Sequence, residues 1–486
     1  MSVELLINVT PSETRVAQIE NGMLQELHLE RQSTTGIVGN IYLGKVSRVL
    51  PGMQAAFVDV GLERTAFLHA HDILPNGELP VGEEPAIQEL VHEGQEVLVQ
   101  VVKDPLGTKG ARLTTQLSIP SRYLVLLPYS CHVGISARIE DDEERARLKR
   151  TLESVIEQEG ATTGFIVRTA GEGASEEALR ADVQFLIKLW DSIRRSAKDA
   201  PKAAMVYGDL PMVMRILRDL LGTDVDRVRI DSSESYERVV RFARRFIPEA
   251  SDRIELHDGE GPIFDLYSVE DEINRALDRK VMLKSGGYLI IDQTEAMTTV
   301  DVNTGSFVGH RNLEETIFKT NLEAAQSLAR QLRLRNLGGI IIVDFIDMQD
   351  EEHRKQVLRV LERSMARDPA RNAISGVSPL GLVEMTRKRT RESLEHILCD
   401  VCPTCGGRGS VKTVETVCHE IFREIMRSAR QFEAKEMLVM ASSDVISRLL
   451  EEQSTALAEL EDAVSLPVRL QADAVYTREQ FDVVLV

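Results

Sequence analysis

Two β-branched apolar runs, MTTV at 297–300 and GIIIV at 339–343, each lead into an aspartate, Asp301 and Asp344, with one long amphipathic stretch, 311–337, between them. The stretch has the marks of a single helix. Asn312 can cap it, Glu315 holds the capping-box position and Gly338-Gly339 ends it. Strands are expected at 287–293, 297–302 and 340–346, and this alternation indicates an α/β domain. A carboxylate that interrupts an apolar run is costly unless a hydrogen-bond network, a counter-charge or a metal compensates it. Two of them converging at adjacent strand ends make a hard-oxygen site suited to Mg²⁺. Asn303 projects to the side of Asp301 if the strand continues. The competing reading is a pair of loop-capping aspartates.

Upstream the pattern changes. From 36 to 118 the chain alternates short β-branched strands with glycine turns (GIVGNIYLGKVSRVL, AAFVDVG, AFLHA, EVLVQVVKD), which suggests a small barrel. In AAFVDVG, Val58 and Val60 share one face and Phe57 lies with Asp59. In TAFLHA, Ala66 and Leu68 share one face and Phe67 lies with Thr65 and His69. Both phenylalanines thus fall on the polar side, where they either stack unpaired bases or pack under a loop. Lys109, in DPLGTKG, is a candidate phosphate contact. Acidic, helical sequence follows from 140 to 200. The stretch 414–486 mixes helix with a terminal strand pair and reads as a small separate domain. A length of 486 residues suggests about three domains.

The net charge of −19 argues against a general nucleic-acid coat, but it allows an enzyme with local basic strips. Arg387, Lys388, Arg389 and Arg391 form one such strip, or else a solvated helix face. No segment is long and apolar enough to span a membrane, the N-terminus has no signal-like run, and five cysteines in this length do not suggest a disulfide scaffold; a reducing cytoplasm is the expected compartment. Cys399, Cys402 and Cys405 form C-x-x-C-x-x-C before GGRG. Zinc is favoured over an iron–sulfur cluster, because GGRG replaces the continuation a ferredoxin run would need. His396, Cys418 and His419 are local candidates for a further ligand. At the end of GFIVRTAGEGAS, Arg168 and Thr169 could hold a phosphate together.

The segment TTVDVNTG and the run NLEETIFKTNLEAAQSLARQLRLRNLGGIIIVDFIDM are strongly similar to the catalytic core of the ribonuclease E/G family, and 36–118 resembles an OB-fold RNA-binding barrel. The resemblance extends to FDVVLV at the C-terminus. It implies an α+β multidomain chain: an RNase H-like domain (1–35 plus 210–278), the barrel (36–118), a 5′-sensor region (119–209), a DNase I-like catalytic domain (279–397), a zinc link (398–413) and a small C-terminal α/β domain (414–486). It implies catalysis by Asp301, Asp344 and Asn303, with Mg²⁺ on the two aspartates, and RNA binding by Phe57, Phe67 and Lys109. It also implies that Arg168 and Thr169 recognise a 5′-monophosphate, with Arg138 of VGISARIE lining the same pocket. A Zn²⁺ would be shared by Cys402 and Cys405 of two subunits, in a homodimer that could pair into a homotetramer, leaving Cys399 without an assigned role.

The activity so implied is Mg²⁺-dependent cleavage of single-stranded RNA to 5′-phosphate and 3′-hydroxyl ends. The substrates would be a 16S ribosomal RNA precursor, at its 5′ end, and messenger RNA in turnover. RKRTRESLEH, CPTC and VKTVETVCHEI, without a long disordered tail, look like the G-type branch. GSFVGHRN, after Asp301, replaces a more basic stretch, so substrate contacts in that loop do not carry over.

Overall fold

The computed structural model describes residues 2–32, 35–74, 85–105, 110–220, 225–259, 261–305, 313–432 and 434–486, except the side chains at 245 and 249. Lys109, Asn312 and most of GSFVGHRN lie outside the described residues. The chain divides into two units, 1–394 and 395–486.

In the first unit, strands Val3–Val9, Glu13–Glu20 and Met23–Arg31 form an antiparallel meander. Distant segments extend it: Arg227–Ile230 pairs in parallel with Val3–Val9, and Ile254–Leu256 follows outside it. Five strands then close into the expected barrel: Ile41–Leu50, Ala55–Asp59, Ala66–His69, Arg112–Thr114 and Glu96–Lys103, the last pairing back to the first. Val58, Leu68, Val99 and Leu113 fill it. A sixth strand, Ala204–Tyr207, joins the outside of Ile41–Leu50 from well beyond the 36–118 stretch. The acidic region 140–200 holds two helices, Asp142–Gln158 and Glu176–Asp199, separated by strand Gly164–Val167, and the helices cover one face of a four-stranded sheet.

The aspartate runs lie in a six-stranded sheet ordered Lys280–Met282, Tyr288–Gln293, Met297–Asn303, Gly339–Asp344, Val383–Arg387, Asn372–Val377. Only Met297–Asn303 and Gly339–Asp344 pair in parallel, as a strand–helix–strand unit requires. The connecting helix is Leu313–Leu334 and, with Glu351–Met365, it covers one face of the sheet. Gly338-Gly339 does not end it. Asn336 does so in the left-handed conformation (φ 49°), with its N–H bonded to Arg333 O and that of Leu337 to Leu332 O. That is a Schellman stop in which asparagine takes the usual place of glycine.

The basic strip is not a helix face, and only part of it is open: Lys388 and Arg389 are exposed, whereas Arg387 is buried. Arg387 ends a strand with its side chain buried on Asp368, donating at 2.6 and 3.1 Å, and Arg389 donates to Gly338 O. In the second unit, Met437–Ala441 is the central strand. Val468–Ala472 and Phe481–Leu485 flank it on opposite sides and do not pair with each other, and helix Val414–Gln431 packs against this sheet. Among the described residues no helix is long and apolar enough to cross a membrane.

Candidate active site and nucleic-acid interface

Alternation along the two parallel strands decides where the carboxylates point. Val300 and Val302 on one strand, and Ile341 and Val343 on the other, are buried under the helices. Asp301, Asn303 and Asp344 therefore face the opposite side. Asp301 and Asp344 are register partners, and neighbouring strands lie about 4.8 Å apart. The expected cost of burying the charges does not arise, because both aspartates are exposed and the apolar runs are buried on one face only. Nδ2 of Asn303 donates to Oδ2 of Asp301 at 2.8 Å, which fixes that carboxylate and leaves its other oxygen open. Neither aspartate forms an ion pair with a described residue. Two uncompensated carboxylates side by side, one held by an amide, are a donor set that fits a hard divalent cation with room for water or phosphate oxygens.

The loop after Asp344 is clamped by residues the sequence reading missed. Asn321, fully buried on helix Leu313–Leu334, donates to Ile346 O at 2.7 Å and accepts from Ile346 N at 3.2 Å. Glu314, in the first turn of that helix, accepts from the N–H groups of Gln349 and Asp350. The Asp350 N–H, more than any other contact, holds its carboxyl below the usual range. His353 stacks on Phe318 with centroids 4.0 Å apart. The available signal was Asn321 itself, an amide on the apolar stripe of an amphipathic run.

On the barrel, Phe57 and Phe67 are register partners with ring centroids 6.2 Å apart, in edge-to-face contact. Both are half-buried on the outer face. The same cross-strand row carries Arg48 beside Phe57 and Arg112 and Lys103 beyond Phe67. His69, two residues along the strand on the same face, lies 6.3 Å from Phe67, and His71 stacks on His69 at 5.2 Å. Four rings stand beside cations, of which Arg112 is paired with Asp72 at 2.8 Å, and rings and cations in such a row have the chemistry to stack bases and contact phosphates. Gly110, next to Lys109, is required by close approach: a Cβ there would lie 2.0 Å from Thr65 O.

Arg168 and Thr169 follow strand Gly164–Val167, which runs parallel to Val133–Ile135, so Ser136 arrives at the same sheet end. Thr169 Oγ1 lies 3.0 Å from Ser136 Oγ, and the same Oγ accepts from Arg138 N. The guanidinium groups do not converge. Arg168 donates to Ser121 O and to Asp219 Oδ1, both at 2.7 Å, whereas Arg138 donates to Pro369 O. Burial works against a charge on Asp219, but Arg218 and then Arg168 outweigh it and lower its pKa.

In the second unit the three thiols differ in kind from Cys418, which is buried in the core and is removed as a ligand candidate. The pKa of Cys402 is lowered, first by the backbone N–H of Cys405 and then by that of Thr404. N–H groups aimed at sulfur suit a zinc-bound thiolate. Among the described residues no three potential ligands converge, Cys399, Cys402 and Cys405 included.

Residues 118–390 match the Ribonuclease E/G family, and residues 401–485 match its thioredoxin-like domain (RNase E/G, Thioredoxin-like domain). The chain is 57% identical to ribonuclease G of Salmonella typhimurium (strain SL1344) and 56% identical to ribonuclease G of Escherichia coli (strain K12), in both cases over 100% of each chain. It is 40% identical to ribonuclease E of Escherichia coli (strain K12), over 94% of this chain and 43% of that one. With these likenesses added to the paired aspartates and the aromatic barrel face, the chain belongs to the ribonuclease E/G family and is an endoribonuclease.

Proposed function

We propose that this endoribonuclease hydrolyses single-stranded RNA with Mg²⁺ held by Asp301 and Asp344, leaving 5′-phosphate and 3′-hydroxyl ends. The observation that carries the reading is the register pairing of the two exposed aspartates on one sheet face. Bound there, Mg²⁺ would offset charge developing on the scissile phosphate and acidify an attacking water. Asn303 keeps the Asp301 carboxylate in one orientation, and Asn321 and Glu314 fix the backbone beyond Asp344. Such preorganisation avoids a reordering cost at the moment of reaction.

The barrel row of Phe57 and Phe67, with Lys109, stacks bases and contacts phosphates. Arg168 and Thr169, with Arg138 at their side, favour a 5′-monophosphate. Zn²⁺ shared by Cys402 and Cys405 of two chains joins a homodimer, which could pair further into a homotetramer. In the same reading the meander sheet is RNase H-like, the barrel an OB-fold and the aspartate sheet DNase I-like. The enzyme works in the cytoplasm on a 16S ribosomal RNA precursor and on messenger RNA. The test is cleavage of a 5′-monophosphorylated single-stranded oligonucleotide with and without Mg²⁺, with analysis of both new ends. Undiminished cleavage after exhaustive chelation, or a 2′,3′-cyclic phosphate product, would overturn the metal mechanism.

A further inference from the structure

The sheet face that carries Asp301 and Asp344 also carries a cation and a ring with no part in the chemistry above. Leu289 and Ile291 are buried under the helices, and Val281 packs with them. Lys280, Tyr288 and Ile290 therefore project on the side of the aspartates. The register builds one row across four strands, Lys280, Ile290, Asp301 and Asp344, and sets Tyr288 opposite Asn303 in the next row. Lys280 is exposed, and among the described strand residues of this face it is the one cation. Its Nζ stands 4.0 Å from the centroid of the Tyr288 ring. A Cβ on Gly305 would come 3.5 Å from Cδ1 of the same ring, so the turn that follows Asn303 runs against the ring.

We propose that Lys280 binds an RNA phosphate next to the scissile one, and that Tyr288 is the positioning residue that holds its ammonium for that contact. The proposal rests on the reading of Asp301 and Asp344 as the metal site. The first support is the kind of partner Lys280 has. A ring face attracts an ammonium without accepting a conventional hydrogen bond, so N–H donors remain for phosphate oxygens. The acid nearest by register on this face, Asp292, is gripped through both its oxygens by Arg279 and does not claim Lys280. No described residue forms an ion pair with Lys280. The second support is place. One strand stands between those of Lys280 and Asp301, so about 10 Å separates the two backbones. That separation suits a neighbouring phosphate better than the scissile one. The third is charge. Two unpaired carboxylates repel the polyanion on which an endoribonuclease acts, and a cation in the same row offsets that repulsion along the path of the strand.

The test uses the full chain and 5′-monophosphorylated single-stranded oligonucleotides with one cut site, in which each phosphate near the cut is replaced in turn by a neutral methylphosphonate. Affinity is read by fluorescence anisotropy in EDTA, and kcat/KM in Mg²⁺. The wild type should lose roughly fivefold in both at one position beside the cut, the effect of one exposed ionic contact. Lys280→Ala should show the same loss on unmodified RNA and no further loss at that position. Its affinity should also depend less on salt, by about 0.7 in the slope of log K against log[salt], as one phosphate contact on a single strand predicts. Tyr288→Leu should reproduce part of the loss and add little to Lys280→Ala, whereas Lys280→Arg and Tyr288→Phe should restore most of it. Unfolding midpoints show that each variant is folded. Cleavage that persists without Mg²⁺, with the coupling between Lys280 and one phosphate intact, overturns the metal reading and leaves the contact standing. A folded Lys280→Ala with the wild-type salt slope and methylphosphonate profile overturns the contact and leaves Lys280 as a surface residue on Tyr288. Coupling to a phosphate remote from the cut overturns the assigned position. A Tyr288→Leu variant that behaves as wild type overturns the role of the ring.

Discussion

Asp301 and Asp344 sit opposite one another across a parallel strand pair, on the face opposite the one that helices Leu313–Leu334 and Glu351–Met365 cover. Their proximity is therefore set by backbone register and not by a loop. Asp301→Asn or Asp344→Asn should leave the fold intact, because both side chains are exposed, and should lower cleavage on the order of a thousandfold, with RNA binding retained. Single-turnover rates at saturating Mg²⁺ measure this. Near wild-type turnover in either variant would remove the metal assignment.

How far the sequence foretold this site depends on the range of the interactions. Asp301, Asn303 and Asp344 were legible because strand alternation is local, and so were the faces of Phe57 and Phe67. The burial state of the aspartates was not, since continuous β-branched runs read equally well as strands buried on both faces. Arg387 looked like part of a surface strip because its partner, Asp368, lies nineteen residues away. Ala204–Tyr207 joins a barrel whose other strands lie far upstream. Asn336 ends a helix in a conformation that two following glycines made redundant to expect.

Phe57→Ala and Phe67→Ala should each weaken binding of single-stranded RNA by about 1–3 kcal/mol, the usual contribution of a base-stacking contact. Both rings are half-buried and touch each other, so each variant should also be checked for its unfolding midpoint. Lys109→Ala should weaken binding less and flatten its salt dependence. Unchanged affinity in a folded but less stable Phe67→Ala would show that the rings are packing residues.

Acid should destabilise this chain through two coupled residues on strand Met23–Arg31, Glu26 and His28. Burial opposes a charge on Glu26, but the His28 contact and the Arg333 charge outweigh it and lower its carboxyl to about 2. Burial, and then the charge of Arg391, lowers His28 to about 4 against the pull of Glu26. The unfolded chain takes a proton on His28 near pH 6.5 and the folded chain only near 4, so stability falls as pH drops through that window. Glu26 continues the loss from about 4.5 toward 2, because the folded carboxylate resists the proton that the unfolded one accepts. Each stage is on the order of 3 kcal/mol at most. Urea midpoints between pH 7 and 4 should fall less steeply in His28→Gln than in the wild type. Parallel slopes would place the acid sensitivity elsewhere.

Cys402→Ser and Cys405→Ser should lose zinc and shift the protein toward monomers. Two thiolates per chain complete a tetrahedral site only with two more from a second chain, so metal analysis of the wild type should give about half a zinc per chain. A full zinc per chain in a monomer would instead mean a closed site within one chain.

The guanidinium of Arg168 is engaged by Ser121 O and Asp219, so a 5′-monophosphate must bind beside the carboxylate or displace it. Two of the five guanidinium N–H donors are used by these contacts, which leaves donors for a phosphate, and the Thr169 hydroxyl at the same strand end adds another. A monophosphate gains charge-assisted hydrogen bonds there that a 5′-hydroxyl cannot make, each about 1.5–3 kcal/mol at most, so the preference could reach tens- to hundreds-fold. Arg168→Ala should slow cleavage of monophosphorylated RNA and barely change that of 5′-hydroxyl RNA. Asp219→Asn separates two roles for the carboxylate. If Asp219 mainly competes with the phosphate, the variant should tighten monophosphate recognition. If it mainly aims the guanidinium, the variant should weaken that recognition while an Asp219→Glu variant restores part of it. Equal slowing of both substrates in Arg168→Ala would mean that Arg168 supports the fold through Ser121 and Asp219 and senses no 5′ end.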